Sequence, residues 1–265
     1  MKFTLLTALP LASAAALPAL GPRQNYFSFG NAFSTGPVAI NSFIRQSTTT
    51  LVLPDLQSPH TGNLGLWPGE GTKFPNSDQD GQLVQGLAIS TVGQGLDLQL
   101  FLAISWLTTD RSPCNFAADE VKWCITASIY DGIVFPLSTV TTVQEILTSV
   151  IQEDRLTAKS LVPIRVTTLP TTIDQTVSVN GAVVSTLSTT SGVGAGWGTA
   201  MECQSVNCGT VPEHHYLNTT LIMDIADPDY NQTLGLTGAS GDLVTEDGGK
   251  TWTVADIRID QYTYT

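Results

Sequence analysis

Two polar side chains stand in otherwise apolar runs: Gln85 in Leu83-Val84-Gln85-Gly86, and Glu202 in Ala200-Met201-Glu202-Cys203. A carboxyl can activate water or deliver a proton, and an amide can hold a developing oxyanion. Gln85 also keeps register with Leu83, Leu87 and Ile89, the pattern of a hydrogen-bonded core amide. Asp256 and Asp260, which flank Arg258, form a second set. Glycoside hydrolysis needs two carboxyls in different protonation states. Alternation predicts that this charged trio shares a strand face with Trp252, Val254 and Tyr262, either lining a cleft or forming a solvent-facing ladder of ion pairs.

The three histidines are His60, His214 and His215, enough for a Ser-His-Asp triad, but no local motif marks one. His214 and His215 follow Pro212 and read as a solvated loop pair. On a strand they would point to opposite faces, which disfavours a shared metal. There is no G-x-S-x-G elbow, H-E-x-x-H helix, phosphate loop or dinucleotide fingerprint. No cofactor and no metal site are expected.

The chain has 265 residues, 11 basic against 23 acidic, and a net charge of −12. Nucleic acid is a poor partner for it, because phosphate binding needs clustered Lys and Arg. Lys2, the apolar run Phe3 to Leu11, and Ala12-Ser13-Ala14 have the three parts of a secretory signal peptide, assigned to residues 1–16. Residues 17–265 then form a single domain in the secretory pathway or outside the cell, with no membrane span expected. In an oxidising compartment Cys114 with Cys124, and Cys203 with Cys208, read as two local disulfides. Asn218-Thr219-Thr220 and Asn231-Gln232-Thr233 are glycosylation sequons, which places Asn218 and Asn231 at the surface, Asn218 at the start of a strand.

The elements that must position these residues are strands. Leu98 to Trp106 and Val121 to Tyr130 alternate with period two. Further strands are predicted over 48–53, 82–90, 164–169, 199–204, 219–225 and 251–260, each rich in Thr, Val and Ile between turn residues. Residues 143–151 have helical spacing but strand composition, and are read as a strand. Asn180-Gly181 signals a tight hairpin, and Asp247-Gly248-Gly249 is read as a second one joining 242–245 to 250–259. Many short strands with turn signals predict an all-β protein, an antiparallel β-sandwich or jelly roll.

Trp67-Pro68-Gly69, the strand carrying Gln85, and Ala200-Met201-Glu202 together resemble the glutamic peptidases of filamentous fungi, which are concanavalin-like sandwiches. In that family a W-x-G segment precedes the strand bearing the catalytic Gln, and a strand beginning Ala-Glu carries the catalytic Glu. The resemblance implies those roles for Gln85 and Glu202. The chain departs from the pattern in the inserted Met201, a longer loop before Gln85 and the lack of an aromatic-rich strand after it. In length, leader, cysteine economy and the run from Trp197 to Pro212, the chain is also similar to the hetero-Diels–Alderases of tropolone–sesquiterpenoid biosynthesis. That likeness implies an enzyme of fungal secondary metabolism that promotes a cycloaddition between a terpenoid and a tropolone-type partner. Its partners would be small apolar substrates in a pocket walled by Trp67, Trp106, Trp123, Tyr130 and Trp197. A carbohydrate-binding or carbohydrate-cleaving sandwich, a glutamic-peptidase-like protein and a non-catalytic interaction protein are the alternatives.

Overall fold

The computed structural model describes residues 28–55, 62–73, 80–91, 123–130, 161–168 and 172–265. Two antiparallel sheets face each other, as the alternating pattern predicts. The first runs β12 (Gly235–Thr237), β1 (Ser28–Thr35), β9 (Val193–Cys203), β3 (Asn63–Lys73), β4 (Asp80–Thr91) and β5 (Cys124–Tyr130). The second runs β13 (Ala239–Ser240), β14 (Thr251–Ile259), β11 (His214–Met223), β2 (Ile44–Val52), β6 (Leu161–Thr168), β7 (Ile173–Val179) and β8 (Ala182–Thr189). The sheets join at one corner, where Ile44 of β2 pairs with Gly194 of β9. A small ribbon of β10 (Thr210–Val211) and β15 (Tyr262–Thr263) lies apart. Among the described residues no helix is long and apolar enough to cross a membrane.

Alternation decides what each sheet buries. Leu64, Leu66, Val84 and Met201 of the first sheet face Leu51, Ile164, Val166, Tyr216 and Leu221 of the second, all of them buried. The layers approach so closely that a Cβ at Gly86 would collide with the Ile164 side chain, so glycine is required there by space alone. The Asn180-Gly181 hairpin forms as predicted, both residues having positive φ (49° and 86°) between β7 and β8. Cys203 and Cys208 form the expected disulfide. Cys114, the stretches 98–106 and 143–151, and the leader 1–16 lie outside the described residues.

Four expectations change. Asp247-Gly248-Gly249 does not close a regular hairpin: only Val244 and Thr253 bridge. The Asp247 carboxylate instead accepts the backbone N–H groups of Thr251 (2.8 Å) and Lys250 (3.1 Å), and these bonds hold it below the usual carboxylate range. The His214–His215 pair is not a loop but the start of β11. Asp256 and Arg258 do not share a face with Trp252 and Val254. Ala255 and Asp256 are consecutively exposed, so the strand skips a beat, and Trp252 and Val254 point into the core. Opposite this break, β11 carries a bulge relative to β2 between Leu217 and Thr220, with Asn218 at φ 52°. Asn218 therefore sits in mid-strand instead of at a strand start.

One core residue is a carboxyl. Glu70 of β3 is 0% exposed and accepts a hydrogen bond from Ser47 Oγ of β2 at 2.5 Å. Burial raises its pKa from 4.5 to about 7, and the Ser47 and Thr168 hydroxyls offset part of that rise. Because the folded value lies above the unfolded one, the folded state holds the extra proton between pH 4.5 and 7. The contribution to stability is therefore complete below pH 4.5 and is lost as pH rises to 7, a change on the order of 3 kcal/mol. Thermal denaturation across pH 4 to 8 should show wild-type Tm falling through that window. Glu70→Gln, which cannot ionise, should remove most of the slope, and parallel curves for the two proteins would contradict this account.

Candidate active site on the outer face of the first sheet

The register of three strands places the candidate residues. Glu202 pairs with Gly65, and Gly65 with Ile89; Gly198 pairs with Gly69, and Gly69 with Gln85. The register is constant between these points on both sides of β3, so Ala200, Trp67 and Leu87 fall in the row between them. Directly paired residues project to the same side, and residues two apart on one strand do so as well. Glu202, Trp67 and Gln85 therefore share the outer face, opposite Leu64, Leu66 and Met201. Trp67 is one strand and two residues from each of the other two. Each such diagonal step spans about 7–8 Å, which sets Gln85 and Glu202 on the order of 15 Å apart with the indole between them.

The Glu202 carboxyl is held from two sides. Trp67 Nε1 donates to Oε2 at 3.1 Å, and Gln204 Nε2 donates to Oε1 at 2.6 Å. Burial raises its pKa above the usual carboxylate range, and the Gln204 and Trp67 bonds offset part of the rise. The result is a carboxyl that keeps its proton to higher pH than a free glutamate. Gln204 is itself anchored: its N–H bonds Asn63 O at 2.9 Å, Ser205 Oγ accepts from Asn63 N at 2.9 Å, and the Cys203–Cys208 disulfide closes the loop. Across β1, Phe29 is paired with Glu202 and is 59% exposed, an apolar ring beside the acid.

Gln85 is nearly buried, at 7% exposure, and its Oε1 has no hydrogen-bond partner among the described residues. Its row neighbours Gly69 and Gly198 have no side chains, so no group from β3 or β9 competes for the amide in that row. The remaining predicted aromatics are not gathered here. Trp197 packs edge-on against Phe33 in the core, at 6.2 Å between rings. Trp123 is buried with Nε1 bonded to Pro54 O at 3.1 Å. Trp106 and the side chain of Tyr130 lie outside the described residues.

The other candidate chemistry is dispersed over the second sheet. His214 is buried, its Nδ1 is 3.1 Å from Pro212 O, and burial lowers its pKa to about 4. His215 points the other way. Its Nδ1 meets Asp256 at 2.8 Å, while Arg258 bridges to Asp260 at 2.7 Å. Asp256 and Asp260 thus each have their own cationic or imidazole partner and form an exposed ladder. His60 lies outside the described residues, and no group of three or more potential metal ligands occurs among the described residues.

Sequence reasoning missed Phe29 and Gln204. Gln204 had a signal, standing two residues beyond Glu202 and so on the same face. Phe29 had none, because its pairing partner is 173 positions away and only the fold brings β1 beside β9.

No protein-family model matches the chain, and no curated protein matches it in sequence. Among solved structures it is similar to scytalido-glutamic peptidase bound to a transition state analogue inhibitor, at 12% identity and a TM-score of 0.45. It is also similar to SCP-B, a member of the eqolisin family of peptidases in complex with a tripeptide, at 13% identity and a TM-score of 0.44. Each comparison covers 88% of this chain and 99% of the other.

Trp67→Phe keeps a ring but deletes the donor to Glu202 Oε2. The Glu202 pKa should then rise further, because the lost bond favours the charged form. Carboxyl-carbon NMR titration of glutamate-labelled protein measures this directly. A Glu202 pKa that is unchanged or lower in the variant would show that the indole does not tune the acid.

Proposed function

We propose that the protein is an acid–base enzyme of the secretory pathway that cleaves peptide bonds in acid, with Glu202 as its proton-carrying group. The observation that carries this reading is the desolvated Glu202 carboxyl, fixed by Trp67 and Gln204 on an outer sheet face beside the exposed Phe29 ring. A carboxyl with raised proton affinity can deliver its proton to a leaving amide and, once ionised, accept one from an attacking water. Gln85 lies too far along the face to share one water with Glu202. Its role here is to bind substrate backbone, since about 15 Å is the length of four to five extended residues. The Ala200-Met201-Glu202 segment that resembles the Glu strand of glutamic peptidases supports the role of Glu202, whereas the catalytic role that the same resemblance implies for Gln85 is not kept.

A second reading is promotion of a hetero-Diels–Alder cycloaddition. It is favoured by the two rings, Trp67 and Phe29, that flank a single acid able to protonate a departing hydroxyl. One variant serves both readings. Protein secreted from a eukaryotic host should digest denatured protein at pH 3 to 5, with activity falling as pH rises through the Glu202 pKa. Glu202→Gln should lose roughly 10²–10⁴-fold. Equal digestion by wild type and variant, or none by either, would remove the peptidase reading. The cycloaddition would then be tested with a hydroxylated sesquiterpene and a tropolone precursor, scored against the same variant.

A further inference from the structure

The outer face of the second sheet carries a cleft of about 760 Å³ between β11, β14 and the segment 240–244. That volume is within the roughly 300–1,000 Å³ of pockets that enclose a small ligand. Its walls are mixed, and include the charged side chains of Asp256 and Arg258. Thr220, Thr253 and Asp242 offer hydroxyls and a carboxylate, while Val244, 50% exposed, gives an apolar patch. This combination suits a pyranose bearing an acetamido group: hydroxyls for the ring oxygens, an aliphatic surface for the methyl.

Asn218 stands on the rim. It is exposed, in the left-handed region at φ 52°, and is followed by Thr219 and Thr220, a complete acceptor sequon. Asn tolerates that conformation better than most residues, so the bulge and the sequon place the same requirement on position 218. The bulge turns Asn218 outward while Thr219 goes inward (1% exposed) and Thr220 returns to the cleft side. The other sequon differs: Asn231 is exposed on a single 3-10 turn, Tyr230–Thr233, and does not line this cleft.

We propose that Asn218 is N-glycosylated and that the cleft seats the first N-acetylglucosamine residues of its own glycan. The host transferase supplies the sugar from a lipid-pyrophosphate-linked oligosaccharide. A bond forms between the anomeric carbon and Asn218 Nδ2, the anomeric C–O bond to pyrophosphate breaks, and the amide loses one proton. The glycan then serves as a tether from β11 across to 240–244. This inference requires passage through the secretory pathway. It does not involve Glu202, whose face belongs to the other sheet.

The test uses the full chain from a eukaryotic host in an Asn231→Gln background, so that one sequon remains. Peptide mass spectrometry should find Asn218 occupied. Trimming to a single sugar with an endoglycosidase should preserve slow amide exchange over 240–244, whereas complete enzymatic removal should speed it by about tenfold. Thr220→Ala abolishes the sequon without touching Asn218 and should exchange like the fully deglycosylated protein. Asp242→Ala keeps the sequon and occupancy but should lose the protection. An unoccupied Asn218 would overturn the proposal, as would an occupied one whose removal leaves exchange over 240–244 unchanged, because the glycan would then hang in solvent.

Discussion

A carboxyl buried between two sheets is the constraint around which this sandwich is arranged. Glu70 can lie at zero exposure only because it keeps its proton and meets the Ser47 hydroxyl across the interlayer space. An ionised, unpaired carboxylate there would cost far more than one hydrogen bond returns. The tie joins β3 to β2 close to the corner where β2 meets β9. Tyr230, whose hydroxyl bonds Thr35 at 2.8 Å, lies near enough to act on the same carboxyl. Fixing Glu70 inward also fixes the parity of the whole strand. Leu64 and Leu66 must then face the core, and Gly65, Trp67 and Gly69 must face out. The indole reaches Glu202 because a different residue on the same strand is committed to the interior.

Two carboxyls on neighbouring strands therefore carry raised proton affinity for one reason, burial, and differ in what surrounds them. Glu70 is sealed among Ser47, Thr168 and apolar side chains, and contributes only to stability. Glu202 has two N–H donors, an exposed phenyl ring beside it and partial access to solvent, so its proton is within reach of groups outside the fold. Environment, and not residue type, separates a structural acid from a reactive one.

The strands were legible because alternation survives wherever one face is buried: the predicted span 82–90 falls within β4, and 48–53 and 199–204 match β2 and β9 apart from one residue at their C-terminal ends. That Gln85 and Glu202 share a face depends on a partner between them. β3 pairs with both, and no local pattern encodes which of its residues meets which. The separation of the two by a Trp row is likewise a property of register. Parity failed in β14, where Ala255 and Asp256 both face out, because a break opposite a left-handed Asn leaves no mark in hydrophobicity. Asp247-Gly248-Gly249 looked like a hairpin turn, yet its carboxylate takes the backbone donors that a ladder would have used.

The short Cys203–Cys208 loop has a consequence beyond the bond itself. It begins one residue after Glu202 and carries Gln204, the first of the two donors that moderate this acid. Reduction would remove one of the ties on that donor, leaving the hydrogen bonds to Asn63 to hold it, and a looser donor lets the carboxyl keep its proton more tightly. Thiol oxidation state and acid strength are thereby coupled through a span of two residues. Protein matured in a reducing cytosol would present a weaker acid at position 202 than protein oxidised during export, although the two would have the same sequence.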